Sequence, residues 1–162
     1  MFKHLAIIAL ILFGSGTAYS AEKITFMLGA MYRSVEVAEL EEIIETGDSD
    51  GLVSQILSVG KMDNKEFIRM LTKPHKFSLT NMGSLTSSPF GRAILKKLGK
   101  AIFPRRSRAN GDKALASAIV MSVADDGYFQ VIEIIKNYPT DIGVDLVEAK
   151  KISEQMEDAV GL

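Results

Sequence analysis

Apolar residues recur at helical spacing along most of the chain after residue 20. The clearest stretch is 90–103, where apolar side chains stand four positions apart and lysine and arginine occupy the opposite side. Segment 113–124 is apolar nearly all round, which predicts a buried central helix. Amphipathic spacing predicts further helices over 38–45, 51–60, 64–71, 128–138 and 145–160.

Helix boundaries are marked by capping residues, prolines and glycines. Ser88-Pro89 predicts an N-cap followed by proline at the first helical position. Asp50, Asp63 and Asp112 stand where they would cap three other helices. Short extended segments are predicted at 23–28 and 34–37. The pattern therefore predicts a mainly α fold, a single compact domain of about six to seven helices with two or three short extended segments.

The first twenty residues have the form of a secretory signal. A short basic start precedes the apolar run Leu5–Phe13, and small residues such as Ala18 and Ser20 follow it. The run is too short for a stable bilayer anchor. We expect residues 1–20 to be a signal peptide cleaved after Ser20, with cleavage after Ala21 or an uncleaved anchor as alternatives. The mature domain is then 21–162, exported to the periplasm or the extracellular space, with membrane association left open.

Composition narrows the chemistry. The chain has no cysteine and no tryptophan, and its formal net charge is −1. Disulfides and thiolate sites are therefore excluded. Of the two histidines, His4 falls in the predicted signal, so His75 is the one histidine of the mature chain. Asp48–Gly51 begins a calcium-loop pattern but lacks its later ligands, and we predict no metal or cofactor.

No residue is predicted to be catalytic. We expect no Gly-x-Ser-x-Gly nucleophile elbow, and the serine and glycine clusters at Gly83-Ser84 and 87–91 lie between predicted helices. His75 follows Pro74 in a basic loop, where a lone histidine usually faces solvent. The expectation is a domain that is not an enzyme by itself.

The sharpest polar feature is a basic cluster. Eight basic residues and one acidic residue lie between positions 92 and 113. The candidate anion- or partner-binding residues are Arg92, Lys96, Lys97, Lys100, Arg105, Arg106 and Arg108. Phosphate headgroups of an anionic membrane or an acidic protein would suit such a surface. The alternative is a basic face that balances the acidic first helix. Nucleic acid is disfavoured, because no aromatic residues alternate with the cations.

Five segments in order resemble a known family. They are Ala21–Gly29, Arg33–Glu42, Ser88–Gly99, Asn110–Ile119 and Val131–Thr140. Together they are similar to the helical domain of unknown function at the N-terminus of exported bacterial α/β-hydrolases. The resemblance extends from Ala21 to about Glu154.

That resemblance implies an accessory role beside a hydrolase domain that we expect to be absent from this chain. No catalytic residue of the family carries over. The partner implied is a hydrolase or another exported protein; whether the domain forms homo-oligomers stays open.

Two other functions remain alternatives. One is a carrier of a lipid or small apolar ligand, with an adaptable pocket formed by scattered methionines, Met27, Met31, Met62, Met70, Met82 and Met121. The other is a small esterase that uses Ser84 and His75.

Overall fold

The structure is a computed structural model that describes residues 20–160. Within this range the chain forms eight α-helices and six β-strands. The strands are β1 Lys23–Leu28, β2 Met31–Glu36, β3 His75–Lys76, β4 Ile102–Pro104, β5 Tyr128–Phe129 and β6 Ile142–Asp145. The helices are α1 Val37–Thr46, α2 Gly51–Gly60, α3 Asn64–Thr72, α4 Leu79–Ser87, α5 Pro89–Ala101, α6 Gly111–Val123, α7 Val131–Lys136 and α8 Leu146–Val160. A 3₁₀ turn, Arg108–Asn110, precedes α6.

The main sheet has four strands in the order β2-β1-β6-β4. β1 and β2 form an antiparallel hairpin, in which Gly29 takes the positive φ of +61° that the tight turn needs. β6 runs parallel to β1, and β4 runs antiparallel to β6. β3 and β5 form a separate antiparallel pair. The main sheet thus joins the start, the middle and the end of the described chain.

Strand alternation gives the main sheet two different faces. Ile24 and Phe26 on β1 share one face with Ile142 and Val144 on β6, as the register of the parallel pair requires. Thr25, Met27 and Phe103 belong to the opposite face, and all three are buried. The first face packs against helices, and the second is covered by the arginine-rich loop that follows β4.

Several predicted caps are confirmed. The Asp63 side chain accepts the Glu66 N–H at 2.7 Å, and the Ser88 side chain accepts the Gly91 N–H at 2.9 Å. Pro89 is the first residue of α5. Asp50 occupies the N-cap position of α2 without a side-chain hydrogen bond.

The prediction of a mainly α fold is wrong, because the domain is a mixed α/β structure. Two short strands form where periodicity predicted helix, β4 in the four-stranded sheet and β5 in the two-stranded sheet. Residues 102 and 103 were predicted as the end of a helix but begin β4, and 128–129 form β5 instead of the first helical turn before α7. Asp112 does not cap α6 but lies in its first turn. Strands of two to four residues are too short for alternation to show.

Most of the predicted signal peptide, residues 1–20, lies outside the described residues. Its cleavage site and the domain boundary at 21–162 stay predictions. Among residues 20–160, no helix is both long enough and apolar enough to cross a bilayer.

Candidate functional site

The structure divides the predicted basic cluster into a loop part and a helix part. In the loop, Arg105 Nε donates to Thr25 Oγ1 at 3.0 Å, and the Arg105 backbone N–H donates to the Asp141 carbonyl. Thr25 is almost fully buried and also shares a hydrogen bond with Ser34. Arg105 therefore holds the loop onto the second face of the sheet.

Arg108 has a similar structural role. Its Nη1 donates to Asp145 Oδ2 at 3.0 Å, and its guanidinium carbon lies 4.3 Å from the centre of the Phe103 ring. Nη2 also approaches Met27 Sδ at 3.6 Å. Arg108 thereby contacts three strands of the main sheet. These interactions tie the Arg108 side chain to the fold, while more than half of it stays exposed.

Asp145 joins this arginine to the start of α8. Its Oδ1 accepts the backbone N–H groups of Val147 and Glu148, both at 3.1 Å, as an N-cap residue does. Burial opposes ionisation of Asp145, but the Glu148 N–H and the Arg108 guanidinium outweigh it and lower the pKa of this carboxyl group. The ionised Asp145 carboxylate thus stabilises the start of α8 and its contact with Arg108.

Arg106 differs from its two neighbours. It lies exposed at the rim of a surface pocket of about 360 Å³, together with Arg105, Ser20, Glu22, Thr140 and Asp141. The Asp141 carboxylate in this pocket accepts the backbone N–H groups of Glu22 and Lys23. Two carboxylates and two guanidinium groups line this pocket, so it has no excess of positive charge to attract an anion.

The helix part of the cluster lies on α5. Arg92, Lys96 and Lys100 stand four residues apart and form one exposed row, which we call the α5 stripe, with Lys97 beside it. Arg92 donates to the Ser87 carbonyl at the start of the helix. Within residues 20–160, none of these four cations makes an ion pair within 4.0 Å. Phe90, in the first turn of α5, is 76% exposed.

An apolar cavity of about 480 Å³ lies between the first face of the sheet and the helices. Strand residues on its wall include Ile24, Phe26, Ile142 and Val144. Helices α1, α2, α3, α5, α6 and α7 supply most of the rest, namely Leu40, Val53, Ile56, Leu57, Phe67, Met70, Leu71, Leu98, Leu115, Ile119, Val131, Ile134 and Ile135. A volume in this range is typical of small-molecule sites.

We place the mouth of the cavity at α2 and α3, from the exposure of its wall residues. Of the residues on its wall, Ile56 at 41% and Met70 at 45% are the solvent-exposed ones. Both are large apolar side chains, and they lie on the two helices that flank the opening. The mouth therefore presents apolar surface to an approaching ligand.

Tyr138 is the one residue of the cavity wall with a polar atom in its side chain, and that hydroxyl contributes no accessible surface to the cavity. The residue follows α7, and its side chain is 1% exposed. Within the described part of the chain its hydroxyl has no hydrogen-bond partner. Burial raises the pKa of Tyr138, so the phenol stays protonated and able to donate.

Six methionines were predicted to form an adaptable pocket. Met70 lies on the cavity wall, whereas Met31 and Met121 are exposed elsewhere. Met27 and Met82 are buried outside the wall, and Met62 packs against the core. The wall consists mainly of branched aliphatic residues, which periodicity identified as core and not as a site.

The two residues of the esterase alternative lie on different elements. Ser84 is exposed on α4, and its carbonyl accepts the N–H of Ser88. His75 is exposed on β3 with its ring stacked on Phe129 at 5.3 Å. Among the described residues no hydrogen bond joins a serine to a histidine. Nor does this part of the chain contain a group of three or more acidic or histidine side chains able to hold a metal ion.

The expectation that the chain lacks a Gly-x-Ser-x-Gly pentapeptide is wrong. Gly47-Asp48-Ser49-Asp50-Gly51 has this pattern. It links α1 to α2, however, whereas a nucleophile elbow follows a strand. Ser49 Oγ donates to Asn64 Oδ1 at 2.7 Å, and Asn64 Nδ2 donates to the Gly47 carbonyl at 3.0 Å. The pentapeptide is therefore a helix linker held by Asn64.

The fold and the cavity define a small α/β domain with an apolar interior site. A family described as an alpha/beta hydrolase of unknown function (DUF1400) matches residues 20–145. The chain belongs to this family, which confirms the predicted relationship to hydrolase-associated proteins of unknown function. No curated protein and no solved structure matches the chain.

Proposed function

We propose that this chain is a non-catalytic accessory domain of its hydrolase family that binds a small apolar molecule in the cavity. The observation that carries the proposal is the 480 Å³ space whose wall is apolar apart from one tyrosine. An unfilled cavity of this size forgoes the packing that would otherwise stabilise the core. Occupation by an apolar ligand restores those contacts and removes the ligand from water.

The position of the wall residues supports a binding role. They come from four strands and six helices that surround one space, and two of the apolar residues on the wall are exposed. The hydrogen bonds of Ser49, and the contacts of His75, are those of structural residues. We infer that catalysis in this family depends on groups other than these.

The proposal includes export, on the basis of the predicted signal. Ala21 is buried, and the backbone N–H groups of Glu22 and Lys23 are held by Asp141, so native contacts begin where cleavage is expected. Mass spectrometry of the protein from the exported fraction tests this directly. A chain beginning at Ala21 or Glu22 supports export, and an intact Met1 contradicts cleavage.

Ligand binding is tested by titration with N-phenyl-1-naphthylamine, a dye that fluoresces in apolar sites. The wild type is expected to bind one dye molecule saturably. Met70→Glu places a carboxylate at the mouth and should weaken dye binding by about tenfold or more. The reason is that the bound dye would remove water from the carboxylate, which costs free energy. Met121→Glu is the matched control, because Met121 is 54% exposed and lies outside the cavity wall.

Two results would overturn the proposal. Absence of saturable binding by the wild type removes the ligand-binding role. Equal weakening by Met70→Glu and Met121→Glu moves the dye site away from the cavity.

A second candidate function is docking to a hydrolase through the edge strand β2. Met31 and Tyr32 on the edge strand β2 are 62% and 55% exposed, and Leu28 at the end of the neighbouring β1 is 48% exposed. An edge of this kind can receive a strand from a partner. Calorimetry with a purified hydrolase domain of the same family, using wild type and Tyr32→Asp, tests this role. Binding heat with both the wild type and Tyr32→Asp, or with neither protein, argues against docking at β2.

A further inference from the structure

The cavity wall offers no partner to a polar group. Its residues are Ile, Leu, Val, Phe and Met apart from Tyr138, and no polar atom of side chain or backbone is accessible from the cavity. A hydroxyl group placed inside would lose its hydrogen bonds to water without a replacement, and an ionised group would lose far more. The part of a ligand that enters the cavity is therefore hydrocarbon.

The wall reaches the protein surface on α2 and α3. Ile56 and Met70, one on each helix, are the exposed residues of the wall. The residues that precede them in the chain, Gln55 and Arg69, are polar and exposed. Water therefore reaches both helices beside the mouth. A polar group can keep its hydration there while the hydrocarbon attached to it lies inside.

We infer that the cavity takes the hydrocarbon tail of a single-chain amphiphile, such as a fatty acid or a fatty alcohol, and leaves its polar head in water at α2 and α3. The inference rests on the proposed function, since it names the ligand class and its orientation for the same cavity. The volume of about 480 Å³ lies in the lower half of the range of small-molecule sites, about 300–1,000 Å³, which favours one chain over two.

Affinity should then depend on the tail and not on the head. Each methylene group that moves from water to the wall should strengthen binding about fourfold, up to the length that the cavity holds. The head stays hydrated in the complex, so its charge should change the affinity little. A second polar group at the far end of the tail should weaken binding, because it must enter the cavity or hold the tail out of it.

Displacement of N-phenyl-1-naphthylamine measures these contributions. 1-Decanol, decanoate and decyltrimethylammonium share a ten-carbon tail, and their dissociation constants should agree within about fivefold, the range that exposed charges supply. 1,10-Decanediol should bind at least about fivefold more weakly than 1-decanol. 1-Octanol, which is two methylene groups shorter, should bind about tenfold more weakly or less tightly still.

A tethered chain locates the mouth. The protein contains no cysteine, so Met70→Cys introduces a single thiol that decyl methanethiosulfonate converts to a disulfide carrying a ten-carbon chain. This chain should enter the cavity, abolish dye binding and raise the unfolding temperature. Met121→Cys with the same label is the matched control, because Met121 is exposed and lies outside the wall, and it should bind dye within about twofold of wild type. Methyl methanethiosulfonate on Met70→Cys should leave dye binding intact, which verifies that the substitution preserves the cavity.

The outcomes separate this inference from the function on which it rests. A difference below about fivefold between 1-decanol and 1,10-decanediol, or a larger spread among the three heads, overturns the orientation but leaves a ligand-binding cavity. Dye binding that survives the decyl tether at position 70 overturns the placement of the head at α2 and α3. Failure of the dye to bind, or of every amphiphile to displace it, overturns the cavity function and this inference with it.

Discussion

Gly99 and Gly111 bring the backbones of α5 and α6 into direct contact. A Cβ atom on Gly111 would overlap the carbonyl oxygen of Gly99, and one on Gly99 would overlap the backbone nitrogen of Asp112. Neither glycine has a positive φ, so the requirement is for space and not for an unusual backbone conformation. The contact fixes the separation of the two helices that carry Leu98 and Leu115 on the cavity wall.

Gly111→Ala should therefore destabilise the domain. The added methyl group meets backbone atoms that cannot rotate away, and overpacking of this kind costs about 1–3 kcal/mol. Urea unfolding followed by circular dichroism measures the change. Gly83→Ala is the matched control, because a Cβ atom at Gly83 meets nothing within 4 Å. Its free energy of unfolding should be unchanged or raised by up to about 1 kcal/mol. Equal stability of the two variants would contradict the packing role of Gly111.

Local signals in the sequence predicted the elements whose caps and periodicity are complete. The bounds of α3 and the start of α5 follow from Asp63 and from Ser88-Pro89, and both caps form the expected hydrogen bonds. β1 was predicted over 23–28 and has those bounds. In each case the determining interaction is made within a few residues of the chain.

The parts that could not be predicted depend on distant contacts. β4 becomes a strand because it pairs with β6, and β6 pairs with both β4 and β1; strands of three or four residues are too short for alternation to identify them. Hydrophobic periodicity likewise does not predict the cavity, because apolar residues on a cavity wall and in a filled core have the same spacing along the sequence. The positions of apolar residues along the sequence do not show whether their side chains leave a cavity between them.

The basic cluster illustrates the same limit. Seven cations were predicted as one anion- or partner-binding surface, but two of them, Arg105 and Arg108, hold a loop onto the sheet. Their partners Thr25 and Asp145 lie 80 and 37 residues away in the chain. Charge density along a sequence therefore identifies exposed cations and structural arginines alike.

The contribution of Asp145 to stability should depend on pH. Its pKa is lowered in the folded state, so its stabilisation is fully present above the ordinary value of 3.8 and is lost as the pH falls through the folded-state pKa. Asp145→Ala removes the cap of α8 and the partner of Arg108, which should cost about 1–2 kcal/mol at pH 7. The difference in free energy of unfolding between wild type and Asp145→Ala should shrink below about pH 4.

Urea unfolding between pH 7 and pH 3 measures this difference. Asp125→Ala, at an exposed position, is the control and should remain close to wild type throughout. A difference between wild type and Asp145→Ala that stays constant down to pH 3 would show that the carboxylate charge does not contribute.

Ser49→Ala should affect stability and not catalysis. The substitution removes the hydrogen bond to Asn64, which should cost about 1 kcal/mol. Hydrolysis of p-nitrophenyl esters by wild type, Ser49→Ala, Ser84→Ala and His75→Ala should all equal the rate in buffer. Activity in the wild type that disappears in Ser49→Ala alone would instead identify the Gly47–Gly51 pentapeptide as a nucleophile site.

The α5 stripe is expected to bind anionic membrane surfaces. Its exposed cations make no ion pair within the described residues, and each lysine or arginine near an anionic bilayer contributes about 1 kcal/mol. Reversing two charges with Lys96→Glu and Lys100→Glu should weaken binding to phosphatidylglycerol vesicles by at least about tenfold.

Vesicle sedimentation across a range of salt concentrations measures this binding. The control replaces exposed lysines away from the stripe, Lys61→Glu with Lys65→Glu, and has the same net charge as the stripe variant. None of the three proteins, wild type or variants, should bind phosphatidylcholine vesicles. Rising salt should reduce binding of the wild type to phosphatidylglycerol vesicles, because screening shortens the range of the attraction. Equal losses in the two charge-reversal variants would show that net charge, and not the α5 stripe, determines the affinity for the membrane.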